Sequence, residues 1–226
     1  MNSDQIEQVM SSLLSCHPSV DERRYTGVYS IDRLHDAGLI DVKGRRSLRV
    51  CIANTDVSTG PGRHWIVVGL DTRDADEPYA LVYDSLAQGY GRRRHRELTD
   101  FLNTLDVDLI YGNEDAFQDE ASDSCALHVI YFVWQMIVAG REFYDVVALF
   151  VPRNKLLNDC LLLQVFENAL ACVRENAGGD ESGDDGGGGK SEQSVSSPSA
   201  TAIDLASILP STSSLCATVG GGGKES

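Results

Sequence analysis

A run of fourteen residues near the middle of the chain, from Ala126 to Ala139, is apolar at almost every position. A helix that is apolar on all sides must be surrounded by the rest of the protein, so the run predicts a core helix from about Asp123 to Ala139. His128 and Gln135 interrupt the run, which is too short to span a bilayer. The fold must therefore be built around this helix, and we expect no membrane-spanning segment.

Patterned segments on either side of this run indicate the other elements. Apolar residues at helical spacing predict amphipathic helices at 3–15, 96–105 and 154–174. Segments rich in β-branched or aromatic residues predict strands at 24–31, 47–55, 64–71, 79–85 and 108–112. Residues 148–152 are interpreted as a short strand or coil. The positions expected to be buried in the last helix include Leu157, Leu161, Phe166 and Leu170.

The chain of 226 residues is long enough for one domain of ordinary size and a tail. Residues 1 to about 175 carry the predicted elements and are expected to form that domain. From Gly178 the composition changes to glycine, serine and acidic residues, which cannot bury enough apolar surface to offset chain entropy. Residues 176–226 are therefore predicted to be a disordered, acidic, Gly/Ser-rich tail. The apolar island at 203–210 is either an accident of composition or a short docking segment.

Charge and cysteine content exclude several classes of protein. The net charge at pH 7 is −15, whereas a general nucleic-acid binder should be basic. Two basic segments, 43–49 and 92–96, are each either a solvated loop or a phosphate contact. The six cysteines form no CxxC pair, which argues against a zinc site and a disulfide framework, and the N-terminus has no basic signal region. We therefore expect an intracellular protein, in the cytoplasm or the nucleus.

Cys125 lies at the start of the core helix, where water and a substrate can reach its thiol. Asp123 and Ser124 are residue types that cap helices, so Cys125 is expected in the first turn. The unpaired amide N–H groups and the helix dipole at that position stabilise a thiolate. Cys125 is therefore a candidate nucleophile. The alternative is a core cysteine that happens to begin a helix.

His64 is the candidate base among five histidines. It follows a Gly-Pro-Gly turn and opens a strand, which places its ring at a sheet edge where a site can form. His128 lies three residues beyond Cys125, but it belongs to the apolar helix and is interpreted as a buried histidine with satisfied hydrogen bonds. The other three lie in polar or arginine-rich segments: His17, His35 and His95.

Asp84 and Gln118 complete the candidate set. Asp84 ends the strand that follows the His64 strand, and in a hairpin its carboxylate can accept the Nδ1–H of His64 and hold one tautomer. The alternative is an ordinary turn aspartate. Gln118 lies in a loop seven residues before Cys125, and its amide could donate to an oxyanion together with the Cys125 N–H. The alternative is a solvated glutamine.

The order His–Asp–Gln–Cys, with His-Trp opening a strand and Q-x6-C entering a core helix, resembles the adenovirus-type cysteine proteinases (adenain). These belong to the same clan as the SUMO-specific, Ulp-type proteases. The resemblance extends over residues 1 to about 175 and includes YTGVYSIDRL, VCIANTDVSTGPGRHWIVV, LVYDSLAQGYG and DVVALFVPRNKLLN. It implies an α+β fold in which a central mixed β-sheet packs on a buried core helix that carries the nucleophile at its N-terminus.

The resemblance also implies roles and a function. Cys125 would be the nucleophile and His64 the general base and then acid, with Asp84 orienting His64 and Gln118 serving the oxyanion hole. The protein would be a cysteine endopeptidase with a protein or peptide substrate, processing viral or mobile-element structural proteins, often after small-Gly-Gly motifs. Residues 218–224, TVGGGGK, look like such a motif. We expect a monomer.

Three positions depart from the family pattern. Ala126 stands where the family usually has glycine after the nucleophile, and Asp84 stands where the adenovirus enzymes have glutamate. Val107 stands where those enzymes have the cysteine that tethers a peptide cofactor. No cofactor is therefore expected, and activation by a peptide or by DNA is left open.

Two other functions stay open. A deconjugating protease for ubiquitin-like proteins such as SUMO shares the fold and the chemistry. A catalytically inactive module would keep the fold in order to bind a partner, and Ala126 is the feature in its favour. An intact set of four catalytic residue types favours an enzyme.

Overall fold

A mixed β-sheet lies at the centre of the protein in this computed structural model, which describes residues 1–21, 24–42, 45–88 and 95–177. Within those residues five strands follow one another across the sheet in chain order. Strands β2, β3 and β4 are antiparallel, whereas β1 pairs with β2 and β5 pairs with β4 in parallel. The strands are β1 Tyr25–Ser30, β2 Leu48–Asn54, β3 Trp65–Asp71, β4 Tyr79–Tyr83 and β5 Leu109–Gly112. The predicted α+β fold with a central mixed sheet is confirmed.

Helices cover both faces of the sheet. They are α1 Ser3–Ser15, α2 Arg96–Thr104, α3 Cys125–Ile137, α4 Phe143–Val147 and α5 Lys155–Ala177, with two 3₁₀ segments at Ile31–Ala37 and Leu39–Val42. Helix α3 packs in the larger core, with α1, α5 and one face of the sheet. The 3₁₀ segments and α2 cover the other face. The predicted core helix is thus the element on which the sheet is built.

Strand β3 shows why this chain has such apolar strands. All seven of its residues are buried. Trp65 and Val67 pack in the larger core with α3, whereas Ile66 and Val68 pack in the second core. Successive side chains of a strand point to opposite faces, so a strand covered on both sides needs apolar residues at every position. The strand that begins directly after residue 64 is therefore held between two cores.

The β3–β4 hairpin is fastened at its turn by a partly buried ion pair. The Arg73 guanidinium lies 2.6 Å from the Asp71 carboxylate, and the Tyr79 hydroxyl donates to the same carboxylate at 2.9 Å. Arg73 also reaches Glu142 at 3.2 Å, which connects the turn to the start of α4. This contact fixes the register of the hairpin, in which Asp71 lies opposite Tyr79. Residues 64 and 84 consequently meet at the other end.

Residues 148–152 lie in turns and coil, as the second of the two predicted alternatives has it, but the short helix α4 before them was not predicted. One predicted burial was wrong. Leu161 was expected to be buried but its side chain is exposed (47%). The buried face of α5 carries Leu162 and Leu163 together with two polar residues, Asn158 and Asp159. A pattern based on apolar residues alone therefore placed this face at the wrong angle.

Some predictions fall on residues outside the described ranges. These are the tail from residue 178 with its segments 203–210 and 218–224, and parts of both basic segments, namely residues 43–44 and 92–94. The side chain of Leu170 is likewise outside them. No helix in the described part of the chain combines the length and the hydropathy that crossing a membrane requires.

Candidate active site

The β3–β4 hairpin brings His64 and Asp84 together. His64 immediately precedes β3 and Asp84 immediately follows β4, and the antiparallel register pairs Val67 with Tyr83. The His64 Nε2 lies 2.6 Å from Asp84 Oδ1. The predicted contact therefore forms, but the prediction of Nδ1 as its donor was wrong. Because Asp84 engages Nε2, Nδ1 is the ring nitrogen left for the Cys125 thiol, whose proximity also raises the pKa of His64.

Asp84 is held in one orientation by backbone and side-chain donors. Its Oδ1 also accepts the Leu86 N–H at 2.9 Å, and its Oδ2 accepts the Gln88 N–H at 2.8 Å. Asn113, just after β5, exchanges two hydrogen bonds with the Asp84 backbone, at 2.8 and 2.7 Å. A carboxylate that accepts several N–H bonds is stabilised as the anion. Asn113 was not predicted; its only signal is its position at the end of a strand parallel to β4.

The environment of His64 favours its protonated form. Burial alone would lower the pKa of this imidazole. The hydrogen bond and charge of Asp84 and the contact with the Cys125 thiol outweigh burial and raise the pKa to about 9. The ring is largely buried but still reaches the cleft, with 12% of its side chain exposed. At neutral pH His64 is therefore an imidazolium between a carboxylate and a sulfur.

Cys125 is the first residue of α3 and is partly exposed. The first hydrogen bond of the helix runs from the His128 N–H to the Ser124 carbonyl oxygen at 3.1 Å. The N–H of Cys125 therefore belongs to the first turn, where amides lack an intrahelical partner. Ser124 occupies the N-cap position, but its hydroxyl does not cap the helix. It donates to Asp159 at 2.7 Å instead, so the predicted capping role of this side chain was wrong.

Gln118 is buried against the same site and is not the solvated residue of the alternative interpretation. Only 2% of it is exposed. Its Oε1 accepts a hydrogen bond from the Ser85 hydroxyl at 2.7 Å, and its Nε2 donates to the Ser122 carbonyl at 2.8 Å. These two contacts fix which end of the amide is the donor. An amide Nε2 carries two N–H bonds, so a second one can serve a ligand.

An open cleft of about 770 Å³ exposes this site. His64, Gln118 and Cys125 line it together with Trp65, whereas Asp84 lies behind His64 and is 2% exposed. Residues 56–63 form one wall and residues 120–123 contribute to the rest. A cleft of this volume can hold several residues of an extended peptide.

The part of the cleft wall that directly precedes His64 has a backbone conformation that only a glycine adopts easily. Gly62 has a φ of +78°, which side chains rarely tolerate, and an added Cβ would lie 2.8 Å from Asn54 Nδ2. Asn54, the last residue of β2, accepts the Asp56 N–H at 2.9 Å, and the Thr55 N–H donates to the His64 carbonyl at 2.9 Å. The Gly-Pro-Gly turn is thus folded back onto the end of β2, and this contact sets the backbone position of His64.

A second histidine–aspartate pair lies behind Cys125. His128 Nε2 lies 2.8 Å from Asp159 Oδ1, and the Tyr83 hydroxyl lies 3.1 Å from His128 Nδ1. Both His128 and Asp159 are fully buried. Burial lowers the pKa of His128 despite the nearby carboxylate. Burial would raise the pKa of Asp159, but hydrogen bonds from His128 and Ser124 hold it below its usual range. The sequence predicted a buried, hydrogen-bonded His128; Asp159 was missed.

Ala126 does not obstruct the cleft. It is 2% exposed and packs in the larger core. The departure from glycine after the nucleophile therefore places a methyl group in the protein interior. In the described part of the chain, the His, Cys, Asp and Glu side chains form no group of three that could hold a metal ion.

The chain matches no family model and no curated protein. Solved structures to which it is similar include the African swine fever virus (ASFV) pS273R protease, with 10% identity over 69% of this chain and 64% of that one, and a TM-score of 0.46. AvrA with IP6 and CoA shares 15% identity over 71% and 56%, with a TM-score of 0.45. A de-sumoylating protease shares 15% over 78% and 77%, with a TM-score of 0.37. The chain thus spans less than two thirds of the first two structures. At such low values, function has to be inferred from this chain's own side chains.

Proposed function

We propose that the protein is a cysteine endopeptidase in which Cys125 is the nucleophile. One observation carries the proposal: His64 Nε2 lies 2.6 Å from the Asp84 carboxylate, and the Cys125 thiol at the start of a buried helix is close enough to raise the pKa of the same ring. A thiol, an imidazole and an orienting carboxylate in that order form the catalytic unit of acyl transfer through sulfur. The cleft gives a polypeptide access to this unit.

In the reactive state the proton of the Cys125 thiol already lies on Nδ1 of His64, so that a thiolate faces an imidazolium, in keeping with the raised pKa of this ring. The sulfur attacks the carbonyl carbon of the scissile bond, and the carbonyl oxygen becomes an oxyanion. The imidazolium then gives its proton to the leaving amine as the C–N bond breaks, which leaves a thioester on Cys125. His64 next removes a proton from water, the resulting hydroxide attacks the thioester, and the thiol is regenerated with release of the carboxylic acid.

The oxyanion needs donors that are already in position. The Cys125 N–H at the helix start is one candidate, and the second N–H of Gln118 Nε2 is the other. Both belong to residues that line the cleft, and the Gln118 amide is fixed by Ser85 and Ser122. Fixed donors stabilise the oxyanion without reorganising during the reaction. Asp84 meanwhile keeps the imidazole turned so that Nδ1 faces the sulfur.

The proposed substrates are structural proteins of a virus or mobile element, cut after small-Gly-Gly motifs. A proteome-derived peptide library, followed by mass spectrometry of the products, tests this specificity. We expect the wild-type protein to cut a defined set of peptides and the Cys125→Ala variant to cut none. If both preparations leave the library intact, while the wild-type protein is folded, the protease proposal fails.

A deconjugating protease would use the same four side chains and is distinguished by its substrate. Fluorogenic ubiquitin and SUMO conjugates should be compared with tetrapeptides of the viral type under the same conditions. Faster turnover of the ubiquitin-like conjugates would indicate a deconjugating protease and not a protease with viral-type specificity. The addition of duplex DNA to both assays tests whether the protein needs a nucleic-acid activator.

Labelling with a thiol-reactive probe tests the inactive-module alternative. Burial raises the pKa of the Cys51 thiol to about 12, so Cys51 should react slowly near neutral pH. We expect Cys125 to react much faster than Cys51 or Cys160, because His64 can hold the thiolate as an ion pair. Equal rates at Cys125 and Cys160, read by peptide mapping, would favour a protein that binds without cutting.

A further inference from the structure

The buried carboxylate of Asp159 connects the two parts of the chain that carry the proposed oxyanion donors. Its Oδ1 accepts hydrogen bonds from Ser124 Oγ at 2.7 Å and His128 Nε2 at 2.8 Å, both on the nucleophile side. Its Oδ2 accepts the Asp119 N–H at 3.2 Å. Ser124 directly precedes Cys125, and Asp119 directly follows Gln118. One side chain of α5 thus lies a single residue away from both donors.

Other contacts hold the same loop to α5. Asn158, the neighbour of Asp159, donates from Nδ2 to the Phe117 carbonyl at 2.9 Å. Within the loop, the Ser122 hydroxyl donates to the Asp119 carbonyl at 3.0 Å and lies 2.9 Å from the Ser124 hydroxyl. The loop between Phe117 and Ser124 is therefore fixed at its start and at its end by one turn of α5.

The protonation states suit this arrangement. Hydrogen bonds keep the pKa of Asp159 below its usual range, and burial lowers the pKa of His128. A neutral His128 that donates from Nε2 to Asp159 can accept the Tyr83 O–H at Nδ1, so both ring nitrogens have a partner. An ionised carboxylate accepts from all three of its donors, and such charge-assisted hydrogen bonds are strong. Asp159 can thus hold its partners as an acceptor at every pH near neutrality.

We propose that Asp159 is a positioning residue that sets the Gln118 amide at the correct distance from the sulfur of Cys125. The inference rests on the proposed function, because it concerns the same reaction. Asp159 touches neither substrate nor sulfur; it acts through Asp119 and Ser124. Its loss should therefore weaken stabilisation of the oxyanion. The Cys125 thiol and His64, which the β3–β4 hairpin positions, should still form their thiolate–imidazolium ion pair.

The test compares Asp159→Ala and Asp159→Asn with the wild-type protein and with Leu163→Ala. Leu163 is fully buried on the same helix and packs in the larger core, so its truncation reports loss of stability alone. Four quantities are measured for each variant below its melting temperature: kcat and KM on the best library peptide, the rate of iodoacetamide alkylation of Cys125, and the affinity of an aldehyde of that peptide. The aldehyde adduct carries an oxyanion-like oxygen, whereas alkylation needs only the thiolate.

We expect Asp159→Ala to lower kcat and aldehyde affinity by about a hundredfold, because displacement of a catalytic group by about 1 Å costs that much. KM and the alkylation rate should stay within about threefold of the wild-type values, since neither depends on the oxyanion hole. Asp159→Asn keeps the shape and part of the hydrogen bonding, so it should retain more activity than Asp159→Ala. Leu163→Ala should lower the melting temperature and leave kcat near the wild-type value.

Ser124→Ala gives a milder variant in case Asp159→Ala fails to fold. It removes one donor to Asp159, and kcat should fall by a smaller factor while the alkylation rate is again unchanged. The inference is overturned if Asp159→Ala, or Ser124→Ala in its place, keeps wild-type kcat and aldehyde affinity. It is also overturned if alkylation falls as far as kcat, which would indicate general damage. A wild-type protein that neither cuts peptides nor binds the aldehyde would refute the proposed function instead.

Discussion

Two histidine–aspartate pairs of nearly the same geometry lie close to Cys125. In both, the histidine Nε2 meets an aspartate Oδ1, at 2.6 Å for His64 and Asp84 and at 2.8 Å for His128 and Asp159. The pKa of His64 is raised to about 9, whereas the pKa of His128 is lowered. A carboxylate partner alone therefore does not determine the charge of a histidine.

The third partner and the depth of burial account for the difference. His64 reaches the cleft, and its other contact is a thiol that can become an anion. His128 is fully enclosed, and its other nitrogen meets the hydroxyl of Tyr83, whose pKa is raised by burial so that it stays uncharged. Opposite charge favours the imidazolium and desolvation disfavours it. The first pair is suited to carry a proton, and the second is suited to hold neighbouring groups in place.

Replacement of each histidine in turn should show the largest difference in kcat between the two pairs. His64→Ala is expected to lower kcat by at least about a thousandfold, the upper range for loss of a general acid–base, in steady-state assays on the best library peptide. His128→Gln keeps polar atoms near Tyr83 and Asp159 and should lower kcat by a much smaller factor. Equal losses in the two variants would show that the pairs do not have separate roles.

Gln118→Ala tests the group that the second pair is proposed to position. It should lower kcat by about a hundredfold, the usual cost of one oxyanion donor. Gln118→Glu is the matched control, because it keeps the shape but replaces the donor with an acceptor and should do no better. Full activity in Gln118→Ala would remove this residue from the oxyanion hole.

The pH dependence of stability should have opposite signs for the two histidines. The folded pKa of His64, about 9, lies above its unfolded value of 6.5, so its contribution is complete below pH 6.5 and is lost as pH rises through 9. The upper bound of this effect is about 3 kcal/mol. His128 has a lowered folded pKa, so its contribution is complete above pH 6.5 and is lost as pH falls.

Urea denaturation from pH 5 to pH 10 measures both effects as differences from the wild-type free energy of unfolding. The variants are His64→Gln and His128→Gln. Difference curves that slope in the same direction would contradict the assignment of one charged and one neutral histidine.

Tyr83→Phe should have the smallest effect. It leaves the buried Nδ1 of His128 without its donor, which costs about 1–2 kcal/mol of unfolding free energy. Tyr79→Phe is a control at the far end of the hairpin, where the lost hydroxyl bonds Asp71. Both variants should keep most of their activity. A fall in kcat with Tyr83→Phe as large as that with Gln118→Ala would mean that Tyr83 acts directly in catalysis.

Local patterns predicted most of the fold. The apolar run, the helices at both ends of the domain and the β3–β4 hairpin follow from periodicity and turn residues, and these place Cys125, His64 and Asp84. The contact between His64 and Asp84 was predictable because the hairpin brings its two ends together. Their catalytic roles remain a prediction that the proposed experiments test.

Contacts between distant elements could not be predicted. Asp159 reaches Ser124 across 35 positions of the chain, and nothing in its own neighbourhood distinguishes it from a surface aspartate. Because Asn158 and Asp159 are buried, the buried face of α5 does not include Leu161, which the apolar pattern had predicted to be inside. Which ring nitrogen of His64 meets Asp84 depends on the rotation of a side chain, and sequence patterns do not report it.

The position of Asp159 in α5 has a consequence for the order in which the site is assembled. All four proposed catalytic residues precede this helix in the chain. The ribosome therefore synthesises Cys125, His64, Asp84 and Gln118 before Asp159, which connects the segments that carry Gln118 and Cys125. A nascent chain should bear a reactive thiol with little cutting power until residues 155–166 have left the ribosome and docked. Stalled nascent chains that end before and after this helix, compared for alkylation and for peptide cleavage, would reveal such a built-in delay.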